Sequence, residues 1–240
     1  RSTGEISYVD GGTIHRFASC ELVALWGSAC GNVTDLNSID FARFGKSSEM
    51  TEFARVASGG RIHTLGATTL DPYFDAAALK YFTGNSAPFA AVLSASEVAK
   101  RSVSYVRFVP GTLVVAPSSA TVYLPQDDGR LLSVTSWSVT SDIGLGQSAW
   151  KVADSDLSAY VKSGDLTRFV SCAGDGYFAS GGWLYRVSSD TGFVSVPIDA
   201  GTCSRLQISD AAPGELFLKT ANSAAVYHAT DGVLRYVPTM

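Results

Sequence analysis

The chain has 240 residues, of which 46% are hydrophobic and 17% charged, so it can bury a large core and is too apolar to remain disordered. Eighteen Lys and Arg against 22 Asp and Glu give a net charge of −4, and no basic run is present that would follow a phosphate backbone, which argues against nucleic acid as a partner. The longest apolar stretches, such as 86–93 around Phe89, fall short of the roughly 20 residues of a membrane helix, so no membrane insertion is expected.

Aromatics at 11%, 23 glycines and recurrent Val, Thr and Ser predict short strands joined by tight turns. In chain order, SYVDGGTIHRF reads as a hairpin, and NVTDLNSIDFARF as a following short element. RVASGGRIHTL is a second hairpin, after which Asp71 and Pro72 mark a helix start with Phe74, Ala78, Leu79 and Phe82 at helical spacing. AAVLSASEVAK takes the place of the earlier short element. TLVVAP, TVYLPQ and GRLLSVTSW read as three strands, SVTSDIGLG as a short helix or turn, and AWKVA as a further strand. In SDLSAYV, Asp154 or Ser155 is the expected cap of a helical turn before TRFVSC opens the next unit. YFASGGWLYRV and VYHATDGVLRYV complete a set of five hairpins.

The second turn glycine of each hairpin falls at Gly12, Gly60, Gly129, Gly182 and Gly232, with the longest interval between Gly60 and Gly129, where the second unit carries its insertion. Gly-Gly and Asp-Gly pairs suit tight hairpins because glycine adopts positive φ at no steric cost. The expected fold is therefore all-β with short helices, a single repeat domain over 1–240 with repeats at about 1–50, 51–110, 111–166, 167–214 and 215–240. The first unit opens at its second strand and the fifth stops after its third, so a closed five-bladed β-propeller is expected, with an open β-repeat array as the alternative. The chain begins at Arg1 with no signal peptide, as expected of a mature form or an excised part of a longer chain.

Four cysteines form two short-range sets, Cys20 with Cys30 and Cys172 with Cys203, without metal or redox spacing. Of three possible connectivities the two local bridges are preferred, since each lies within one repeat; four buried free thiols are the alternative. Bridges would place the protein outside the cell, secreted or at the cell surface.

HRFASCELVALWGSACGNVTDL and VYLPQDDGRLLSVTSWSVTSDIGLG resemble the tandem repeats found beside catalytic domains in secreted actinobacterial proteins, including cell-wall amidases and peptidases, where a VYLVDGGKRR-type hairpin precedes a short helix and a glycine. The likeness spans nearly the whole chain. In that family a Cys often begins the helix and another follows the glycine, as Cys20 and Cys30 do around Gly27, whereas Cys172 lies in the preceding strand and departs from the pattern. The resemblance implies an extracellular, cell-envelope-associated module, with an attached catalytic domain in a longer chain, and it implies no catalytic residue here.

The residues themselves carry no recognisable catalytic motif: GxSxG, a phosphate loop, an EF-hand and the calcium nonapeptide are all missing from the sequence. His15 and His63 are read as one repeat position, held elsewhere by Leu132, Tyr185 and Arg235, and that variety favours a structural role over metal ligation for them and for His228. Asp127, Asp128, Asp154 and Asp156 lie in turns, where such residues serve local backbone hydrogen bonding. Tyr8, Tyr123, Tyr177 and Tyr227 precede the turn glycine on four strands, as a row of ligand-binding rings or as inter-sheet packing. Trp26, Trp137, Trp150 and Trp183 share no repeat position and are expected to divide between core and surface.

Three functional readings follow. The first is a non-catalytic, multivalent, lectin-like module for a glycan, peptidoglycan or host-surface ligand, without cofactor or metal. The second is a protein-interaction scaffold using 71–101 as its contact edge. The third is a glycan-active enzyme with scattered carboxylates.

Overall fold

Among the residues described in the computed structural model (4–187, 194–209, 216–219, 225–230 and 233–237), strands form five sheets, and the class is all-β with short helices. The first sheet holds β1 (Ser7–Asp10) and β2 (Thr13–Arg16), then α1 (Cys20–Leu25), α2 (Ser38–Phe41) and β3 (Gly45–Lys46). The second has β4 (Phe53–Arg55), β5 (Ile62–Leu65), β6 (Thr69–Pro72), α3 (Ala76–Thr83), β7 (Ala91–Val92), α4 (Ala95–Ala99) and β8 (Ser102–Val103). The third has β9 (Val114–Val115), β10 (Val122–Pro125), β11 (Arg130–Val134), α5 (Trp137–Ile143), β12 (Trp150–Lys151), α6 (Asp154–Leu157) and β13 (Val161–Leu166). The fourth has β14 (Phe169–Cys172), β15 (Asp175–Ser180), β16 (Trp183–Arg186), β17 (Val196–Pro197), α7 (Ala200–Cys203) and β18 (Gln207–Ser209), and the fifth β19 (Leu216–Lys219), β20 (Val226–Thr230) and β21 (Val233–Val237).

The second, third and fourth sheets share one plan. Three strands meander antiparallel, the fourth strand returns parallel to the first, and the fifth lies parallel to the third, as in the order β12-β9-β10-β11-β13. This mixed sheet differs from the four-stranded blade typical of propellers. The first sheet contains the second, third and fifth strands of the plan, and the fifth sheet the first three, among the described residues. The chain divides into two compact units, Arg1–Val109 with the first two sheets and Pro110–Met240 with the other three.

The Gly59–Gly60 turn departs from the sequence-based alignment. It joins β4 to β5, the first and second strands of its sheet, whereas Gly11–Gly12 and Gly181–Gly182 join second to third strands. The equivalent turn of the second sheet closes where the Gly66 N–H donates to the Thr69 carbonyl at 2.8 Å. A Gly-Gly pair reports a tight turn and not which strands the turn connects, so the alignment slipped by one hairpin. Gly232 lies outside the described residues.

Two helix starts also move. Asp71 and Pro72 end β6, and α3 begins one turn later, where the Asp75 carboxylate accepts from the Ala78 N–H at 2.8 Å. Its buried residues are Ala78 and Leu79. Neither Asp154 nor Ser155 caps α6; the cap is Ala153, whose N–H donates back to the Asp156 carboxylate at 3.1 Å.

Helices tie neighbouring sheets together within each unit. Leu25 and Trp26, at the end of α1, pack on Ala54, Leu65 and Leu70 of the second sheet. Val139 and Ile143 of α5 join Leu124 and Leu132 of the third sheet to Val170, Ala179 and Leu184 of the fourth in one core. Each fully buried Leu, Ile or Val among them contributes roughly 1.5–3 kcal/mol. No helix of the described residues is long and apolar enough to cross a membrane.

Candidate functional site

The strand pairings redraw the row of tyrosines. Counting back from the residue that closes the second-to-third turn, Tyr123, Tyr177 and Tyr227 share one position, opposite Val114, Val170 and Leu218 on the first strand. In the second sheet that position holds His63, opposite Ala54. Tyr8 is one residue nearer its turn, so the alternation of a strand puts it on the other face. His15 keeps its equivalence with Leu132, Tyr185 and Arg235, but His63 leaves that set and Asp71 takes its place, because the turn of the second sheet is at Gly66.

The shared position is an inward one. Tyr123 is 3% exposed, Tyr177 7% and His63 5%, which leaves no ring face for a ligand to stack on. Tyr8 is half-buried and tilts against Trp26 with ring centroids 5.9 Å apart. The Lys162 ammonium stands 5.4 Å from the Tyr123 ring centre. It hydrogen-bonds the phenol and, helped by the Ser119 and Thr121 hydroxyls, holds it below the ordinary phenol range against the opposing effect of burial.

The histidines are accounted for locally. His15 stacks on Phe89, with centroids 3.6 Å apart and planes 11° from parallel, and its Nδ1 lies 2.8 Å from the Ser48 carbonyl. His63 has Nδ1 3.0 Å from the Arg61 carbonyl, and burial pushes its pKa down. The side chain of His228 lies outside the described residues. Turn carboxylates are engaged as well: Asp128 pairs with Arg130 at 2.6 Å, Asp154 accepts from Ser118, and Asp156 accepts from the Ala153 N–H.

Both local disulfides are present, Cys20–Cys30 and Cys172–Cys203. Cys20 is exposed, and its bridge holds the start of α1 to the loop beyond Gly27. Cys172 is 6% exposed, and its bridge fastens the end of β14 to the end of α7.

Among the described residues, an exposed aromatic surface stands out in each unit. In the second unit three tryptophans project outward, Trp137 at the start of α5 (39% exposed), Trp150 in β12 (49%) and Trp183 at the start of β16 (43%). In the first unit the inserted segment sets guanidinium groups over rings, Arg61 over Phe74 at 5.2 Å and Arg107 over Phe82 at 5.3 Å. Tyr81, 42% exposed, meets the edge of Phe82, while Asp71 accepts from the Ser104 hydroxyl at 2.6 Å and faces Arg107 at 3.6 Å. Asp71 and His63 lie on opposite faces of the sheet, so Ser104, Asp71 and His63 do not assemble into a relay. Sequence reasoning flagged the insertion but not this cluster, because Arg61 and Arg107 lie far apart in the chain. No family model matches the chain, and no curated protein or solved structure is similar to it.

Proposed function

We propose that the chain is a non-catalytic module that binds a glycan or peptidoglycan surface outside the cell, through its outward tryptophans and not through the tyrosines. The observation that carries this reading is the partial exposure of Trp137, Trp150 and Trp183 on one unit, between 39% and 49% of each residue. Indole faces stack on sugar rings, and polar neighbours fix the hydroxyls. Two disulfides fit an oxidising compartment, which supports the secreted localisation.

The test is retention on insoluble peptidoglycan and on a glycan array, with Trp150→Ala and Trp183→Ala alongside. Retention that falls at least several-fold in either variant, with unchanged melting, supports the reading; no retention of the parent protein ends it. In that event the inserted edge around Tyr81 and Phe82 makes protein interaction the second reading, because its paired guanidinium and aromatic groups are the chemistry enriched at protein interfaces.

For the arrangement of the five sheets, the closed five-bladed ring and the open repeat array are carried forward as alternative proposals; the one strand plan shared by the second, third and fourth sheets supports a repeat architecture.

A further inference from the structure

We propose, resting on the glycan-binding reading above, that Trp183 with Ser180 and Gln207 on either side of it forms a single subsite for a pyranose bearing an acetamido group. Strand register sets the three residues side by side. Ser180 lies opposite Trp183 across the hairpin of β15 and β16, and Trp183 lies opposite Gln207 of β18. Directly paired residues share one face of a sheet, with Cβ atoms about 5 Å apart, so hydroxyl, indole and carboxamide stand in one row at the turn end of the fourth sheet. Trp183 is 43% exposed, Gln207 is exposed and Ser180 is half-buried.

The same row recurs in the other sheets that hold the third and fifth strands of the plan. Asp10, Thr13 and Gly45 occupy it in the first sheet, Gly66, Thr69 and Ser102 in the second, and Gln126, Arg130 and Val161 in the third. None of these residues carries an aromatic ring, and several of their polar groups are spent locally. Ser102 donates to the Thr68 carbonyl at 3.3 Å, Arg130 pairs with Asp128 at 2.6 Å, and Gln126, 1% exposed, accepts from the Asp199 N–H at 2.7 Å. In the fourth sheet neither the Ser180 hydroxyl nor the Gln207 carboxamide is hydrogen-bonded to another described residue.

The other two outward tryptophans lack such flanks. Trp137 lies between Ser136 and Ser138, whose hydroxyls bond each other at 2.8 Å while Ser136 also caps α5, and Trp150 is opposite the fully buried Val114. An indole offers a flat apolar surface to the C–H face of a sugar. A carboxamide carries one acceptor and two donors, the complement of an acetamido N–H and C=O, so Gln207 can close two hydrogen bonds to that group at once, whereas a sugar hydroxyl in its place offers a single oxygen. Ser180 takes a ring hydroxyl on the opposite side of the indole. None of the three side chains is charged, so a neutral N-acetylated hexosamine matches the row, and its single occurrence among the described residues implies one sugar per chain.

The experiment titrates the isotope-labelled full chain with chitotriose, the trimer of N-acetylglucosamine, and with cellotriose, which has hydroxyls in place of the acetamido groups, followed by NMR. Saturable one-to-one shifts of the Trp183 indole N–H and the Gln207 side-chain amide are expected, with chitotriose bound about tenfold more tightly, as the net worth of one or two hydrogen bonds dictates. Gln207→Ala should lower chitotriose affinity to that of cellotriose. Trp183→Ala should abolish binding of both, Trp183→Phe should restore part of it, and Trp137→Ala should leave it unchanged. Equal affinity of the parent protein for the two sugars, a preference that survives in Gln207→Ala, or shifts centred on Trp137 or Trp150 overturn the acetamido subsite while glycan binding stands. No binding of either sugar overturns the subsite as well, and retention on peptidoglycan then decides whether the glycan reading falls with it. Cross-strand contacts between Phe178 and Tyr185, retained in each variant, show that the sheet is intact.

Discussion

At the scale of single residues, the backbone of the described residues holds one positive-φ conformation outside glycine. Ala173, with φ of 51°, sits beside Gly174 in the two-residue turn between β14 and β15. Left-handed backbone costs an alanine roughly 1–2 kcal/mol, and Asn-Gly is the favoured pair for such a turn. Ala173→Asn is expected to raise stability by about 1 kcal/mol, measured by chemical denaturation; no gain would show that the turn relaxes. Tyr123 supplies a second residue-level prediction. Its phenol lies below the normal range because Lys162 favours the phenolate, so an alkaline absorbance titration should show one tyrosine ionising ahead of the others. The sign follows from linkage: a depressed acid favours folding progressively as pH rises through its folded pKa. Lys162→Ala should abolish the early step, and Tyr123→Phe should remove it altogether.

At the scale of elements, the strands were largely legible in the sequence because period-2 apolar runs and Gly-Gly turns are local signals. Their register was less so. Gly60 shows why: the chemistry of a turn is the same whichever two strands it joins, and the pairing of β5 with β6 through Gly66 depends on contacts distant in sequence. The tyrosine row suffered from the same limit, since one residue of offset in Tyr8 reverses the face. Arg101 carries no signal in the sequence for a different reason. Its side chain, 4% exposed, is defined by Glu97, Gly66 and Leu25, brought together only by packing of α1 on the second sheet. Arg101→Ala should cost about 3 kcal/mol, because it takes the donor from the Leu25, Gly66 and Glu97 carbonyls and leaves the Glu97 carboxylate with Lys100 alone. Protection from hydrogen exchange should fall first in α1 if the arginine acts as this clamp; uniform loss would argue against it.

For the whole molecule, the open-array alternative makes a prediction about truncation that the closed ring does not share. Deleting residues 216–240 removes the fifth sheet and should leave the calorimetric transition of the first unit within a few degrees of its original position, as nearest-neighbour stabilisation predicts. A closed ring predicts the opposite, a collapse of both units together. The composition already implied a large all-β body, but nothing in it could reveal that the apolar position beside the turn is covered in some sheets and open at Val9.

The Cys172–Cys203 bridge has a mechanical consequence. A module that binds a surface, as proposed above, would be pulled along its chain, and this bridge closes a segment with a sequence separation of 31 residues, joining the first strand of the fourth sheet to its last helix. While it is oxidised, that segment cannot pay out under tension. At roughly 3.4 Å per extended residue, about 10 nm of contour length stays hidden. Reduction would release it, so in that proposed role the bridge would act as a stop on how far the chain stretches.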